Sequence, residues 1–196
     1  VSGGHTELVY LKEEFNFEIL GSTQDDAIGE AYDKVARVMG LSYPGGPMID
    51  KLAKSGKPHY KLPKIKTQKP FDFSFSGLKS AVLQLVHKQT EDLNHEDLAY
   101  AFQEAAVGEL MLKTRLALDT YPVKHFVLAG GVAANSRLRQ LVLDLNETYP
   151  DVQITIPPLW CCTDNAAMIG AVAYIAYKHG VRADLSLSAN PGLDYA

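Results

Sequence analysis

Two rhythms of apolar positions run through the chain. Glu7–Leu11 reads as a strand, and alternation at every second residue marks Phe15–Leu20, where Phe15, Phe17 and Ile19 share a side. That period belongs to half-buried strands. With the polar turns around them, these segments predict three strands joined by tight turns, the antiparallel start of a mixed sheet. Phe71 to Ser76 alternates in the same way and turns its phenylalanines toward a core. The short apolar run Phe126–Ala129 reads as a buried strand, and Val152–Ile156 as another strand.

The second rhythm is helical. Between Asp25 and Met39, the residues Ala27, Ile28, Ala31, Val35 and Val38 fall on one face, and Gly40 stands where a helix ends. A short helix is expected over Met48–Lys54, another from a Ser76 N-cap through His87, and the longest over Asp97–Tyr121. Asn135 opens a helix running to about Asn146. Ala166–Lys178 is an apolar helix with Thr163 or Asp164 as its N-cap. Strands and helices in this order indicate an α/β fold.

The turns between these elements carry candidate chemistry. Ser2-Gly3-Gly4 either cradles a phosphate on its backbone amides or is an ordinary hairpin. Pro44-Gly45-Gly46-Pro47 reads as a rigid turn with two positions open to positive φ. Gly130-Gly131, after a strand and before the Asn135 helix, is either a tight turn or a nucleotide cradle whose unpaired N–H groups point outward. Asp26, Glu30 and Asp33 share a helix face. Their carboxylates can accept from ribose hydroxyls, or they form a solvated face with Arg37 paired to Asp33.

Composition narrows the class. With 46% hydrophobic and 21% charged residues, the 196-residue chain can bury a sizeable core. A net charge of -4 excludes a uniformly basic nucleic-acid binder but not a local patch. Lys51 to Lys69 is such a patch: seven lysines, no acid, and His59, Tyr60 and three prolines through Pro70. It reads as a solvated surface loop or as a phosphate-tracking arm for RNA. Cys161 and Cys162 are adjacent, which disulfide geometry disfavours, so a reducing cytoplasm is expected. No apolar run reaches the roughly 18 residues of a membrane span. The opening Val1-Ser2-Gly3-Gly4-His5-Thr6 has the look of the middle of a motif, so a missing N-terminal part is expected.

Six motifs taken together carry a resemblance. They are Ser2-Gly3-Gly4-His5-Thr6, Asp25-Asp26-Ala27 with Gly29 to Lys34, Tyr43 to Pro47, Phe73 to Lys79, Ala129 to Asn135, and Cys162 to Met168. In this order the chain resembles, over nearly its whole length, the TsaD-type tRNA threonylcarbamoyltransferases, a family once called O-sialoglycoprotein endopeptidases. The resemblance implies an actin–hexokinase–heat-shock-ATPase fold (ribonuclease H-like), in which two α/β domains enclose a nucleotide. Residues 1–196 would then be the second domain, with a Lys-rich insertion at about 51–70 and the first domain outside this chain.

The implied reaction moves threonylcarbamoyl from threonylcarbamoyl-AMP to N6 of the adenosine 3′ of the anticodon, in tRNAs reading codons that begin with A. Carried over by motif, Val1, Ser2, Gly3 and Gly4 would hold the phosphate and carbamoyl end. Asp33, Gly46 and Asp50 would bind the ribose and its surroundings, and Asn135 with Gly130 and Gly131 would hold the nucleotide. Asp164 would be one ligand of a divalent metal, iron or alternatively zinc. The family's HxxxH histidines, which would supply the other ligands, occur nowhere in these 196 residues. No side chain is an obvious general base. Implied partners are tRNA, an inactive paralogue (TsaB-like) and a small P-loop ATPase (TsaE-like), in the cytoplasm and away from membranes.

Other readings have less in the sequence. A non-catalytic scaffold paralogue would tend to lose the Thr163-Asp164-Asn165 motif, which is present. A metallopeptidase lacks an HExxH helix, and a sugar or acetate kinase of the same superfold does not account for the Lys-rich segment or Phe73 to Lys79.

Overall fold

The computed structural model describes residues 1–88 and 93–190. Strand β1 (Glu7–Glu13) pairs antiparallel with β2 (Asn16–Ser22) through a turn in which Phe15 takes φ 62°. The front of the chain is therefore one hairpin rather than three strands. Phe15 belongs to its turn, and the segment before Glu7 is held by the Ser2 turn. Strand β3 (His125–Val127) pairs parallel with β4 (Gln153–Thr155), forming a second two-stranded sheet. An apolar groove of about 780 Å³ separates the two sheets, with Leu8, Leu20, Phe73, Leu118 and Leu128 among its walls.

Helices supply most of the core. Helix α1 (Ile28–Val38) packs on α2 (Gly45–Ala53) and α3 (Ser76–Lys88), while α2 lies along α4 (His95–Thr120). At 1.5 Å per residue α4 is about 39 Å long and forms the spine of the molecule. Ile28, Val35, Ile49, Leu78, Val82 and Phe102 are fully buried between these helices. Burying side chains of this size contributes on the order of 1.5–3 kcal/mol each. Helix α1 ends as expected, in a Schellman turn: Gly40 has φ 71°, its N–H donates to Arg37 O, and Leu41 N–H donates to Ala36 O.

Several element starts differ from expectation, and the reason is shared. Helix α1 begins at Ile28, not Asp25, because Asp25 turns away to cap α3. Helix α2 begins at Gly45, so the Pro44–Pro47 segment is the first turn of a helix and not a loop. Neither Gly45 nor Gly46 has a positive φ. Gly45 is needed for a different reason: a Cβ there would lie 2.4 Å from Ala36 Cβ. Ser76 is inside α3 rather than its cap. The Asn135 helix is divided into α5 (Ser136–Leu143) and a single turn, α6 (Leu145–Thr148).

Helix α7 (Ala166–Lys178) stands apart. Its N-cap is Asn165, whose side chain accepts from Met168 N–H, and neither Thr163 nor Asp164 has that role. Ile169, Val172, Tyr174 and Tyr177 are all more than half exposed. Beyond its C-terminus, His179 bonds Glu14 at 2.5 Å and packs edge-on against Phe15, tying the segment to the hairpin turn. Among the described residues, no helix is long and apolar enough to cross a membrane.

Candidate functional site

The Ser2 turn and the Gly130 turn, far apart in sequence, meet in space. The Val1 amino group donates to Ala129 O at 2.8 Å, and Val132 N–H donates to Val1 O at 3.2 Å. On the other side, Gly29 N–H donates to Ser2 O at 3.2 Å. Two glycines make this approach possible. A Cβ on Gly130 would lie 2.3 Å from Val1 O, and one on Gly29 would lie 2.6 Å from Ser2 O. Gly130 also sits at φ 95°, where side chains other than glycine's are strained. The backbone of Val1 to Gly3 is thus clamped between the start of α1 and the turn after β3.

Within the turn, Ser2 Oγ accepts from His5 N–H at 3.0 Å and from Gly4 N–H at 3.3 Å, while Ser2 N–H donates to His5 O. Gly3 and Gly4 are exposed, and a Cβ on either would meet nothing within 4 Å. The same open space lies beside Gly46 and Gly131. The site's glycines therefore divide in two. Gly29, Gly45 and Gly130 face protein and permit packing, whereas Gly3, Gly4, Gly46 and Gly131 face free volume.

Three aspartates cap helices to which they do not belong. Asp33 Oδ1, on α1, accepts from Gly45 N–H at 2.8 Å, at the start of α2. Asp50, on α2, accepts from Ser136 Oγ at 2.9 Å and from Ser136 N–H at 3.3 Å, at the start of α5. Asp25 accepts from the N–H groups of Phe75 and Ser76 and from the hydroxyls of Ser74 and Ser76, at the start of α3. A carboxylate there satisfies orphan amides and complements the helix dipole. Partial burial alone would raise the Asp25 pKa; the four hydrogen bonds outweigh it and hold the group below the usual carboxylate value. The expected pairing of Arg37 with Asp33 is replaced by other contacts: Lys34 meets Asp26 and Glu30, at 2.6 and 2.9 Å.

Asn135 is the N-cap of α5, its Oδ1 accepting from Leu138 N–H at 2.9 Å. Its Nδ2 donates to Gln103 Oε1 at 2.8 Å and, at 3.4 Å, to Tyr32 OH. The Tyr32 hydroxyl donates to the same Gln103 oxygen at 3.3 Å. Burial pushes the Tyr32 phenol pKa far up, with Asp50 and Glu104 adding to the effect, so it stays protonated. Tyr32, Gln103 and Ser136 are site residues to which sequence reasoning gave no role. Gln103 had a signal, a polar residue on the inward face of a helix. Beside this network, α2, α4 and α5 border a cleft of about 450 Å³ lined by Lys54, Gly56, Gln103, Glu104, Ser136 and Arg137. Arg137 is held by a two-pronged contact to Glu104, at 2.6 and 2.8 Å.

Asp164 does not join this network. It is exposed, and among the described residues it has no hydrogen-bond or ion-pair partner. Nor do any three His, Cys, Asp or Glu side chains among the described residues lie close enough to hold a metal ion. One free carboxylate does not fit a three- or four-ligand centre by itself.

Comparison with known proteins places the sequence in a family. The model of the TsaD family, described as tRNA N6-adenosine threonylcarbamoyltransferase, matches residues 1–171. A protein of that name from Limosilactobacillus fermentum is 54% identical over 100% of this chain, and one from Bacillus cereus is 54% identical over 99%. A third, from Geobacillus kaustophilus, is 52% identical over 98%. In each case the chain spans 58% of the relative's length. All six motifs lie wholly inside the matched residues, and so do the clamped Ser2 turn, the Gly130 turn and the three capping aspartates; the chain belongs to the TsaD family.

Proposed function

We propose that the protein transfers threonylcarbamoyl from threonylcarbamoyl-AMP to N6 of the adenosine 3′ of the anticodon, with this chain as its second domain. The observation that carries the reading is the juxtaposition of the Ser2-Gly3-Gly4 and Gly130-Gly131 turns within a chain of this family. In the reaction, the exocyclic amine attacks the carbamoyl carbon, the bond to the phosphate oxygen breaks, AMP departs and the amine loses a proton. Val1, Ser2, Gly3 and Gly4 present backbone to the phosphate and carbamoyl end, with the open side of Gly3 and Gly4 as the place of approach. Asp33 and Asp50 act on the ribose side, and Asn135 with Gly130 and Gly131 holds the nucleotide. Asp33 and Asp50 each already accept at least one hydrogen bond from a helix start, yet a carboxylate offers about four acceptor positions. The capacity left over suits sugar hydroxyls, and Gly46 leaves room beside them. Asp33, Asp50 and Asn135 contribute positioning, while the backbone of Val1 to Gly4 faces the departing phosphate.

A divalent metal, iron or zinc, would supply Lewis acidity to the phosphate or carbonyl. Asp164 offers one donor to it, and the others are expected from the part of the protein that lies outside this chain. Asp164→Ala in the whole protein should lose bound metal, measured by elemental analysis of the purified protein, while its circular dichroism is unchanged. Equal metal content would remove Asp164 from the ligand set. Partners follow from the same reading: tRNA as substrate, with a TsaB-like paralogue and a TsaE-like ATPase, in the cytoplasm.

The reading is tested with the whole protein, its partners, synthetic threonylcarbamoyl-AMP and an unmodified tRNA transcript. Nucleoside chromatography should show threonylcarbamoyladenosine, and Asp50→Ala should raise the KM for the adenylate about tenfold or more. A scaffold without activity of its own would give no product under any partner combination.

A further inference from the structure

We propose that residues 54–70 form a preformed RNA-docking strap, which carries the anticodon arm of the tRNA to the rim of the site; this rests on the function proposed above. The segment has no regular secondary structure, yet it is fastened along its length. Lys57 N–H donates to Asp97 Oδ1 at 2.7 Å, Asn94 N–H donates to Tyr60 OH at 3.2 Å, and Lys113 Nζ donates to Thr67 Oγ1 at 3.1 Å. Between these points Tyr60, Leu62 and Ile65 pack against the core. The anchors Asp97 and Lys113 lie sixteen residues apart on α4, so the strap is laid along roughly 24 Å of that helix. Order of this kind reduces the entropy lost when a ligand docks.

The outward side carries the cations. Every lysine from Lys51 to Lys69 is exposed while Leu52, Ala53, Leu62 and Ile65 between them turn in. Those seven are among the chain's 19 Lys and Arg, which leaves 12 cations facing 23 acids elsewhere. A polyanion is repelled by most of the molecule and drawn to one line. Protein acids would also be drawn there, but the strap adds a base-stacking element. His59 lies stacked on Tyr60, ring centres 5.0 Å apart, with the His59 side chain 70% exposed. An exposed stacked ring suits the unpaired bases of an RNA loop. The strap also leads to the chemistry, because Lys54 and Gly56 at its start line the cleft beside Ser136 and Gln103.

The test uses the whole protein and an in vitro transcript of a tRNA that reads a codon beginning with A. Replacing Lys57, Lys61, Lys64 and Lys66 with Gln should weaken tRNA binding at least tenfold near 0.15 M salt. It should also make the log–log salt dependence shallower by up to about 3, at about 0.7 per lost single-strand phosphate contact. A control that neutralises Lys12, Arg115, Lys124 and Lys178, all outside the strap, should change binding less than threefold. His59→Ala should weaken binding without altering the salt slope. Thermal melting of each variant reports folding, and adenylate affinity should stay at the wild-type value. Unchanged tRNA binding in the quadruple variant, or an equal loss in the control, overturns the strap alone. Failure of the wild-type protein to bind any tRNA overturns the proposed function together with it.

Discussion

At Gly130, two demands coincide: a left-handed φ and the carbonyl of Val1 where a side chain would sit. Gly130→Ala should therefore cost more than about 2 kcal/mol, read as a lower denaturation midpoint, since strain and collision add. Gly131→Ala, with open space around its Cβ, should leave the midpoint within about 0.5 kcal/mol and weaken adenylate binding instead. Asn135 is a mixed case. Its side chain both caps α5 and meets Gln103, so Asn135→Ala should lose about 1 kcal/mol of stability and raise the adenylate KM. An unaltered KM in a folded variant would make Asn135 a helix cap alone.

The helix starts mark the limit of what the sequence could disclose. Periodicity locates the bodies of α1 to α5, because buried positions recur along an element's own length. The starts of α1, α2 and α3 escape a local reading because their partners are remote: Thr6, Asp33 and Asp25 accept from amides 12 or more residues away. A capping box is visible locally, but a cap delivered from another helix becomes visible only once the chain has folded. The motifs single out Asp33, Asp50 and Asn135, each of which holds a helix start. Polar Gln103 on an inward helix face is a local signal, but that it stands with Tyr32 behind Asn135 shows only in the fold. Asp25 gives this element scale its own test. Its folded pKa is depressed, so its contribution is fully present above the unfolded value of about 3.9 and is lost as pH falls through the folded value. Asp25→Asn should reduce stability at pH 7 by about 1–2 kcal/mol. The gap to wild type should close below pH 4 in urea titrations at several pH values.

Across the whole molecule, membership of the TsaD family brings an actin–hexokinase–heat-shock-ATPase type of fold, and the α/β arrangement agrees with it. The chain nevertheless keeps its two small sheets apart, with an apolar groove between them, and leaves α7 bare. Apolar surface on this scale belongs against something else. The 196-residue chain by itself should bind a hydrophobic dye while folded, and removal of residues 166–190 should reduce that binding. The Tm should shift by no more than about 2 °C, since few contacts tie α7 to the remainder. A large fall in Tm would mean that α7 stabilises the core.

Helix starts held by borrowed carboxylates also bear on motion. Helices fray from their ends, and the amides at those ends exchange with solvent fastest. Here the first amides of α2 and α5 are held by Asp33 and Asp50, the side chains assigned to the sugar. An adenylate that fixes those carboxylates also fixes the helices they close. Amide exchange at Gly45 and Ser136 should therefore slow when the ligand is bound, although neither amide touches it. The site would then be readable in deuterium uptake at two backbone positions, before any product has formed.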